Sequence, residues 1–377
     1  MSWNKIVGND RVKRILQQQM IDSKLANSYL FTGINGIGKE AMAIEFAKTL
    51  NCEYPIISSD SYIACDSCKS CHLFDNLLHQ NLELVYALPA SSGDTATDKL
   101  SEAQIDEIKQ QLEKKVSDPF SKIKVKGANI IRLNSIRDVK RKLALTQGTK
   151  GKRVVIVSDA ERMNTEAANA FLKTLEEPND NIIIILCTSK PDQILATIKS
   201  RCQIIKFAPL NKSDIEAKIL IEHNVSADTA KIASELSMGS YTKALEYFDH
   251  NFVEMRRMIV DTLRNSLKKK HFRKDISDSL NEIIKKYDKE EIIFLLQLLS
   301  IWIRDAELIK AGLLNIANPD DIETIKSFAK SYKDKNLLNI NEYIETTIYL
   351  INRNVLVGAS LYSLFLNIRH YLIQVKV

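Results

Sequence analysis

The sequence predicts an α/β protein in which a parallel, doubly wound sheet is followed by a small helical domain and a larger all-helical domain. Short apolar runs alternate with helical patterns up to about Pro209, as in folds whose parallel strands are joined by helices. A glycine-rich loop at residues 33–40 lies between the first apolar run and its helix, and only helical patterns follow Pro209. A chain of 377 residues is too long for one compact core, so two or three domains are expected.

The charge balance and hydropathy exclude some classes of protein. Lysine and arginine exceed aspartate and glutamate, 53 against 47, which permits contact with nucleic acid without requiring it. The N-terminus has no secretory apolar core, and no apolar run approaches the length of a membrane span. We therefore expect a soluble, cytoplasmic protein with no membrane partner.

The glycine-rich loop has the spacing of a P-loop, with one fault. Gly33, Gly36 and Gly38 let the backbone N–H groups point inward, and Lys39 would reach the outer phosphates of a nucleotide. The next position is normally Ser or Thr, whose hydroxyl holds Mg²⁺, but here it is Glu40. An unneutralised carboxylate would repel a triphosphate, so we expect weak ATP binding or none.

Four cysteines follow the P-loop helix with metal-ligand spacing, namely Cys52, Cys65, Cys68 and Cys71. Two Cys-x-x-Cys steps share Cys68, and such a tight thiolate set suits tetrahedral Zn²⁺ with no open position. The sequence therefore predicts a structural zinc module at about residues 52–72. The alternative is a set of reduced cysteines that no longer bind the metal.

An insertion is predicted at about residues 89–134, after a strand at residues 82–86. It contains a loop at residues 91–95 and a charged helix, for which Ser101 and Gln104 could form a capping box. Its lysine-rich end at residues 122–126 is interpreted as a solvated strand edge, with a basic binding surface as the alternative.

Two further strands are predicted to carry polar residues at their ends. The apolar run 154–157 leads to Asp159, which is placed like a Walker B acid that binds Mg²⁺ through water. The next residue should be an acid that activates water, but it is Ala160, and Glu161 is displaced by one position. The central strand 182–187 delivers Thr188, which could either sense a phosphate or cap a turn.

A helix at residues 164–177 is expected to stop at Pro178, and a last strand at residues 204–207 follows the tripeptide Ser200-Arg201-Cys202. The helical remainder divides into a small bundle at about residues 212–247 and a larger one. The most apolar stretch of the larger bundle, residues 292–302, is expected to be a buried helix or a subunit interface.

In combination, these motifs resemble bacterial clamp-loader subunits, which are AAA+ proteins of the DNA polymerase III holoenzyme. The resemblance is carried by the P-loop at residues 33–39, the four-cysteine knuckle, the segment 169–178, Ser200-Arg201-Cys202 and, more loosely, residues 302–305. It implies an AAA+ domain at residues 1–208 with an inserted zinc module, a helical lid at 209–248 and a C-terminal collar domain at 249–377.

Within that family the sequence looks like the delta-prime type. The motor subunits keep Ser or Thr after the P-loop lysine, an acidic pair in Walker B and an arginine in the Gly-Ser motif of the lid, where this chain has Glu40, Ala160 and Thr242. The resemblance implies that Arg201 is an arginine finger acting in trans on a neighbouring subunit. It also implies no ATPase activity of its own, within an assembly that belongs to a DNA-directed DNA polymerase.

The partners implied by the resemblance are the gamma/tau motor subunits and a delta subunit in a hetero-pentamer, the sliding clamp, and primer–template DNA bound through the assembly. One alternative is a motor-type, gamma/tau-like subunit or another autonomous AAA+ ATPase. Another is a nucleic-acid-binding module built on the cysteine knuckle and the mild basicity. For Arg201 alone, the alternative is a structural salt bridge at a helix end.

Overall fold

The computed structural model describes residues 2–89, 95–98, 100–145, 151–176, 181–246, 252–313 and 316–373. These residues form two compact units, Met1–Ile215 with Gly239–Thr242, and Glu216–Met238 with Lys243–Val377. Most of the loop expected at 91–95 lies outside the described residues, as does Pro178. The division into three domains stays a prediction.

The first unit is built on a parallel five-stranded sheet with the order β4-β5-β6-β1-β7. A two-stranded antiparallel hairpin, β2 with β3, lies apart from it. The strands are β1 (Ser28–Thr32), β2 (Ile56–Ile57), β3 (Tyr62–Ile63), β4 (Leu82–Val85), β5 (Arg153–Val157), β6 (Ile182–Thr188) and β7 (Gln203–Lys206). The sheet strands expected from the apolar runs are therefore confirmed, with ends shifted by about one residue.

Helices pack on the sheet because its central strands β5, β6 and β1 are buried on both faces, whereas the outer strands β4 and β7 are partly exposed. The helices are α1 (Asp10–Ile21), α2 (Lys39–Leu50), α3 (Lys69–Asp75), α4 (Glu102–Ser117), α5 (Leu133–Leu145), α6 (Thr165–Glu176) and α7 (Ala196–Lys199). Alternation of strand and helix gives the doubly wound arrangement predicted from sequence. The P-loop connects β1 to α2 at the carboxyl edge of the sheet.

The insertion contains the predicted capped helix but not the predicted strand edge. In α4 the Ser101 hydroxyl accepts from the Gln104 backbone and the Gln104 side chain accepts from the Ser101 backbone, so the capping box is confirmed. Residues 122–126 form no strand, and that prediction is wrong. The backbone N–H groups of Lys124 and Lys126 instead donate to the side chains of Gln111 and Glu107 on α4.

The chain after the sheet is helical, as predicted. The helices are α8 (Lys212–Glu222), α9 (Ala227–Leu236), α10 (Tyr241–Glu246), α11 (Phe252–Ser266), α12 (Phe272–Lys286), α13 (Lys289–Lys310), α14 (Ile322–Ser331), α15 (Asn339–Asn352) and α16 (Val357–Ile373). Apolar side chains from α9 and α11–α16 form one core, which contains most of α13. No helix within the described ranges is long and apolar enough to cross a membrane.

Candidate phosphate site, arginine edge and cysteine cluster

The P-loop has the backbone form expected of a phosphate cradle, but its lysine is engaged within the loop. Gly36 and Gly38 adopt φ of +75° and +86°, a left-handed conformation that favours glycine. The Lys39 ammonium donates to the carbonyl oxygens of Gly33 and Ile34, each at 2.7 Å. Lys39 is buried, and this burial lowers its pKa. The amine that would grip a phosphate therefore has two internal acceptors.

The carboxylate of Glu40 is neutralised by a lysine from the insertion. Lys115 on α4 is 2% exposed, and its Nζ lies 2.7 Å from Glu40 Oε2. The same ammonium donates to the carbonyl oxygens of Ser121 at 2.6 Å and Pro119 at 3.1 Å. The expectation of an unneutralised carboxylate at this position is wrong, because a segment 75 residues away in sequence supplies its counter-charge.

A second lysine from the insertion neutralises Asp159 at the end of β5. Lys122 Nζ forms an ion pair with Asp159 Oδ1 and donates to Asn35 Oδ1 at 2.8 Å. Arg162 Nε lies 3.5 Å from the other Asp159 oxygen. Lys115 pairs with Glu40 and Lys122 pairs with Asp159. The two lysines therefore supply positive charge where a P-loop protein would place Mg²⁺.

The space above the loop is filled by rings and hydroxyls. A Cβ atom on Gly38 would lie 2.8 Å from the Phe120 ring, and one on Gly36 would lie 2.0 Å from Thr242 Oγ1. Phe120 packs edge-on against Tyr241 at 4.9 Å between centroids, and the Tyr241 N–H donates to the Gly36 carbonyl at 2.9 Å. The cavity left between the loop and Phe120 has about 20 Å³, which is room for roughly one water.

Other polar groups at this edge bond to the protein backbone and to each other. Thr188 is fully buried, and its hydroxyl accepts from the Lys190 N–H at 3.0 Å, as a turn cap does. Glu161 turns towards the end of β6, where its Oε1 accepts from the Ser189 hydroxyl at 2.9 Å. A neighbouring cleft of about 410 Å³ shares Lys122 and Asp159 with the cavity at the P-loop, and Asn35 of the P-loop also lines it.

Arg201 lies at the opposite edge of the sheet from the P-loop. It follows α7 and precedes β7, whose Gln203 pairs with Tyr29 and whose Lys206 pairs with Thr32, the last residue before the loop. Five or six residues of strand separate the two edges, or roughly 20 Å at 3.3 Å per residue. An arginine side chain cannot span this distance, so Arg201 does not reach the P-loop of its own chain.

The Arg201 guanidinium is tethered at the surface. Its Nη2 lies 2.8 Å from Glu176 Oε1, and its Nη1 donates to the Thr197 carbonyl at 2.9 Å. The side chains of Arg201 and Glu176 are 34% and 45% exposed. The structural salt bridge considered from the sequence is therefore present, but solvent screens it and Arg201 remains accessible.

The structure brings the four predicted cysteines together. Their sulfur atoms all lie within 4.8 Å of one another, with Cys65–Cys71 at 4.0 Å and Cys52–Cys71 at 3.6 Å. A tetrahedron with metal–sulfur bonds of about 2.3 Å has sulfur–sulfur edges of about 3.8 Å. The Ser67 N–H lowers the pKa of Cys65 to about 6, which favours a thiolate at pH 7. The cluster could hold a metal ion.

A buried lysine on the P-loop helix ties the cysteine module to the sheet domain. Lys48 Nζ lies 3.0 Å from Glu45 Oε2 and 3.3 Å from Asp75 Oδ1, and it also pairs with Asp66 in the cysteine loop. Burial raises the pKa of Glu45 to about 7, against the opposing effect of Lys48. Sequence analysis missed this group as well as Lys115, Phe120 and Lys122, since long-range pairs leave no local pattern.

Comparison with known proteins places the chain in a family. A family model described as DNA polymerase III, delta subunit, matches residues 8–211. The chain belongs to this family. That match includes the P-loop, the cysteine cluster, Asp159 and Arg201. Within the family the chain is delta-prime-like, and delta' subunits from Bacillus subtilis, Pseudomonas aeruginosa and Escherichia coli are among its relatives.

These relatives are distant, and each match covers part of a chain. The B. subtilis delta' subunit is 28% identical over 69% of this chain and 66% of its own length. The B. subtilis tau subunit is 26% identical over 58% of this chain and 31% of its own length. This delta-prime-like chain thus spans less than two thirds of the length of these relatives.

Among solved structures, a gamma-subunit-related protein from Thermotoga maritima is similar over 96% of this chain and 98% of its own, with 15% identity and a TM-score of 0.37. The T. maritima RuvB Holliday junction branch migration motor covers 86% of this chain and 90% of its own, with 12% identity and a TM-score of 0.38.

Proposed function

We propose that this chain is a non-hydrolysing delta-prime subunit of the bacterial clamp loader, within the DNA polymerase III holoenzyme. It would assemble with gamma/tau-type motor subunits and a delta subunit, and help to load the sliding clamp onto primed DNA. The observation that carries the non-hydrolysing role is the occupation of the phosphate site by the chain's own side chains. Family membership and the names of the relatives support the assembly.

The phosphate site lacks what hydrolysis requires. Phosphoryl transfer needs Mg²⁺ between the phosphates and a residue that orients the attacking water. Glu40 and Asp159 pair with Lys115 and Lys122, and Ala160 offers no acid to orient water. The cavity between the P-loop and Phe120 has about 20 Å³, against about 300 Å³ or more for a typical ligand pocket, so phosphates have no room against the loop while Phe120 keeps this position.

Arg201 is the residue through which the chain would act on ATP bound by a neighbour. Its distance from the P-loop of its own chain favours action in trans. Its partial exposure would let the guanidinium leave Glu176, since an exposed pair contributes only about 0–1 kcal/mol. A guanidinium is always charged and can fork onto two phosphoryl oxygens as charge develops on them.

For the cysteine cluster we propose one structural Zn²⁺ per chain, held by Cys52, Cys65, Cys68 and Cys71. All four ligands are protein thiols, so a tetrahedral ion would have no open position for chemistry. Its role would be to fix the fold of the β2–β3 hairpin and the start of α3. Metal analysis of freshly purified, unchelated protein should find one zinc per chain, and finding none would refute this part.

The assignment of the helical regions rests on family membership and on the helices that follow the sheet. We propose that residues 209–248 form the lid and residues 249–377 the collar. The apolar core formed by α11–α16 supports the collar, and α9 of the proposed lid packs into the same core.

For the insertion at about 89–134 we propose that it fills the phosphate site of its own chain. Lys115 and Lys122 pair with the acids there, and the ring of Phe120 lies over the P-loop.

Nucleotide binding and turnover by the isolated chain test the non-hydrolysing role. A fluorescent ATP analogue should show no saturable, Mg²⁺-dependent binding, and phosphate release should stay at background. In contrast, steady phosphate release that Lys39→Ala abolishes would make the chain a motor-type subunit and overturn the proposal.

A lysine double variant tests whether the insertion is the reason that the phosphate site binds no Mg²⁺. In Lys115→Met/Lys122→Met, Glu40 loses its counter-charge and Asp159 keeps only Arg162, so Mg²⁺ alone should raise the melting temperature. At ten times the dissociation constant, an ion adds about 1.4 kcal/mol to the free energy of unfolding. The wild type and the control Lys109→Met/Lys114→Met, exposed on the same helix α4, should show no such shift. An equal shift in all three proteins would contradict the proposed roles of Lys115 and Lys122.

A further inference from the structure

The second compact unit contains a groove that the proposed function does not use. It has a volume of about 640 Å³ and runs between the C-terminal half of α11 and the length of α14. Trp302 is buried behind it, and the half-buried rings of Phe328 and Tyr332 line it. The three rings pack in series, with centroid separations of 5.0 Å for Trp302–Phe328 and 4.9 Å for Phe328–Tyr332.

One end of the groove continues into a strongly basic segment, residues 268–274, which comprises the connection before α12 and the first three residues of that helix and is called the basic loop below. Lys268 belongs to both the groove lining and the loop. The loop's cationic side chains are all exposed, and they are Lys268, Lys269, Lys270, Arg273 and Lys274. Lys268 pairs with Asp275 at 2.8 Å. Among the described residues, Lys269, Lys270 and Lys274 form no ion pair, so their charges are available to a ligand.

A sixth cation is held next to the basic loop. Arg369 on α16 donates through Nη1 to the carbonyl oxygens of Ser266 at 2.6 Å and Lys268 at 2.7 Å. Its guanidinium lies 3.8 Å from the centroid of the Phe272 ring. Arg369 thus satisfies carbonyl groups at the C-terminal end of α11 and adds its positive charge to the loop.

This concentration of positive charge is unfavourable in the protein alone. The basic loop leads into the N-terminus of α12, where the helix dipole is positive and acidic residues would be preferred. Arg273 and Lys274 occupy the first turn, with Asp275 as the acidic residue there. Basic residues at a helix N-terminus destabilise the free protein, and residues that do so without a compensating contact often serve a function. A bound polyanion would neutralise this positive charge.

We propose that the groove and the basic loop together bind single-stranded nucleic acid. Proteins that bind single strands without sequence preference combine a basic path for phosphates with aromatic rings on which bases stack. Both parts occur here side by side, and α14 adds the hydroxyls of Thr324 and Ser327 to the groove lining; Ser331 lines it too, with its hydroxyl donating to the Ser327 carbonyl at 2.9 Å. Glu323 also lines the groove, but it pairs with Lys326 at 2.9 Å, and Arg264 pairs with Asp261 at 2.6 Å.

The chemistry favours a nucleic acid over an acidic protein segment. Either polyanion would satisfy the basic loop and could accept hydrogen bonds from the hydroxyls, but only a nucleic acid carries a flat base beside each of its charges, which suits a basic loop next to aromatic rings. Bases have flat faces for the rings, and sugars and phosphates accept hydrogen bonds from hydroxyls. The proposal concerns the second unit alone and does not depend on nucleotide chemistry in the first.

Fluorescence anisotropy with a labelled oligothymidylate tests the proposal on the full chain. We expect binding that weakens with added salt, with a slope of log K against log[salt] of about −2 to −3 for three or four phosphate contacts. Lys269→Glu/Lys270→Glu/Lys274→Glu should weaken binding by about a hundredfold or more, since three contacts become repulsive. The control Lys5→Glu/Lys24→Glu/Lys109→Glu makes the same charge change on exposed lysines of the first unit and should retain most binding.

A ring variant separates stacking from charge. Tyr332→Leu keeps apolar volume in the groove but removes the flat face, and it should weaken binding about fivefold or more while leaving the salt slope unchanged. Equal losses in both lysine triple variants, or no binding by the wild type at low salt, would overturn the proposal. So would competition by polyglutamate as effective as that by oligothymidylate together with no effect of Tyr332→Leu, which would indicate an acidic protein partner.

Discussion

The two edges of the central sheet differ in how their charged groups are used. At the carboxyl edge, Lys39, Glu40 and Asp159 all have partners within the chain, and about 20 Å³ of free volume remains between the P-loop and Phe120. At the amino edge, Arg201 is partly exposed and held by one surface carboxylate. The difference shows how a P-loop fold can lose its own nucleotide and still present a cation to the nucleotide of another subunit.

The largest expected effect on stability comes from removing the Lys115–Glu40 ion pair at the carboxyl edge. Lys115→Met leaves Glu40 as a mostly buried carboxylate without its partner, which should lower the free energy of unfolding by about 3–5 kcal/mol in urea denaturation. Lys115→Met/Glu40→Gln removes both charges and should recover most of that loss. The exposed pair Lys109–Asp106 on the same helix is the control, and Lys109→Met should change stability by less than about 0.5 kcal/mol.

The Lys115 and Glu40 variants can contradict the proposed difference between the two edges of the sheet. If Lys115→Met costs no more than Lys109→Met, then Lys115 is not an internal substitute for a cation, and the carboxyl edge is no more closed than the amino edge. A loss that the second substitution does not recover would assign the effect to packing around Lys115 rather than to its charge.

The sheet and the cysteine cluster were predictable because their signals are local. Apolar runs such as 154–157 and the shared Cys68 spacing are readable within a few residues. The closure of the phosphate site was not predictable, because Lys115 and Lys122 meet Glu40 and Asp159 only after the insertion folds back. A lysine within a charged helix gives no sign that it will become 2% exposed.

The pH dependence of stability sharpens the comparison along α2, which carries two acids with lysine partners: Glu40, paired with Lys115, and Glu45, paired with Lys48 but more deeply buried. Folding raises the pKa of Glu45 from 4.5 to about 7 because the carboxyl group is buried. Between these values the unfolded chain binds fewer protons, so stability should fall as pH rises, by up to about 3 kcal/mol in total. Urea denaturation from pH 4.5 to 8 should show this fall in the wild type and much less of it in Glu45→Gln. Parallel profiles for the two proteins would contradict the assignment.

The smallest effect is expected at the amino edge. Glu176→Gln removes the carboxylate that holds Arg201, and it should change the free energy of unfolding by less than about 1 kcal/mol, since both side chains are exposed. Thermal or urea denaturation measures this directly. A cost of several kcal/mol would mean that Arg201 is a structural residue, and the contrast between the two edges would disappear.

The most direct test of the account is ATP hydrolysis by a reconstituted clamp loader, stimulated by clamp and primed DNA, with Arg201→Ala in this chain alone. Lys199→Ala, two residues away, is the matched control, and assembly is checked by size-exclusion chromatography. We expect hydrolysis to fall by about tenfold or more with Arg201→Ala and to be unchanged with Lys199→Ala, because a trans-acting arginine stabilises charge that develops on the transferred phosphoryl group. Unchanged hydrolysis by a fully assembled Arg201→Ala complex would contradict the central claim.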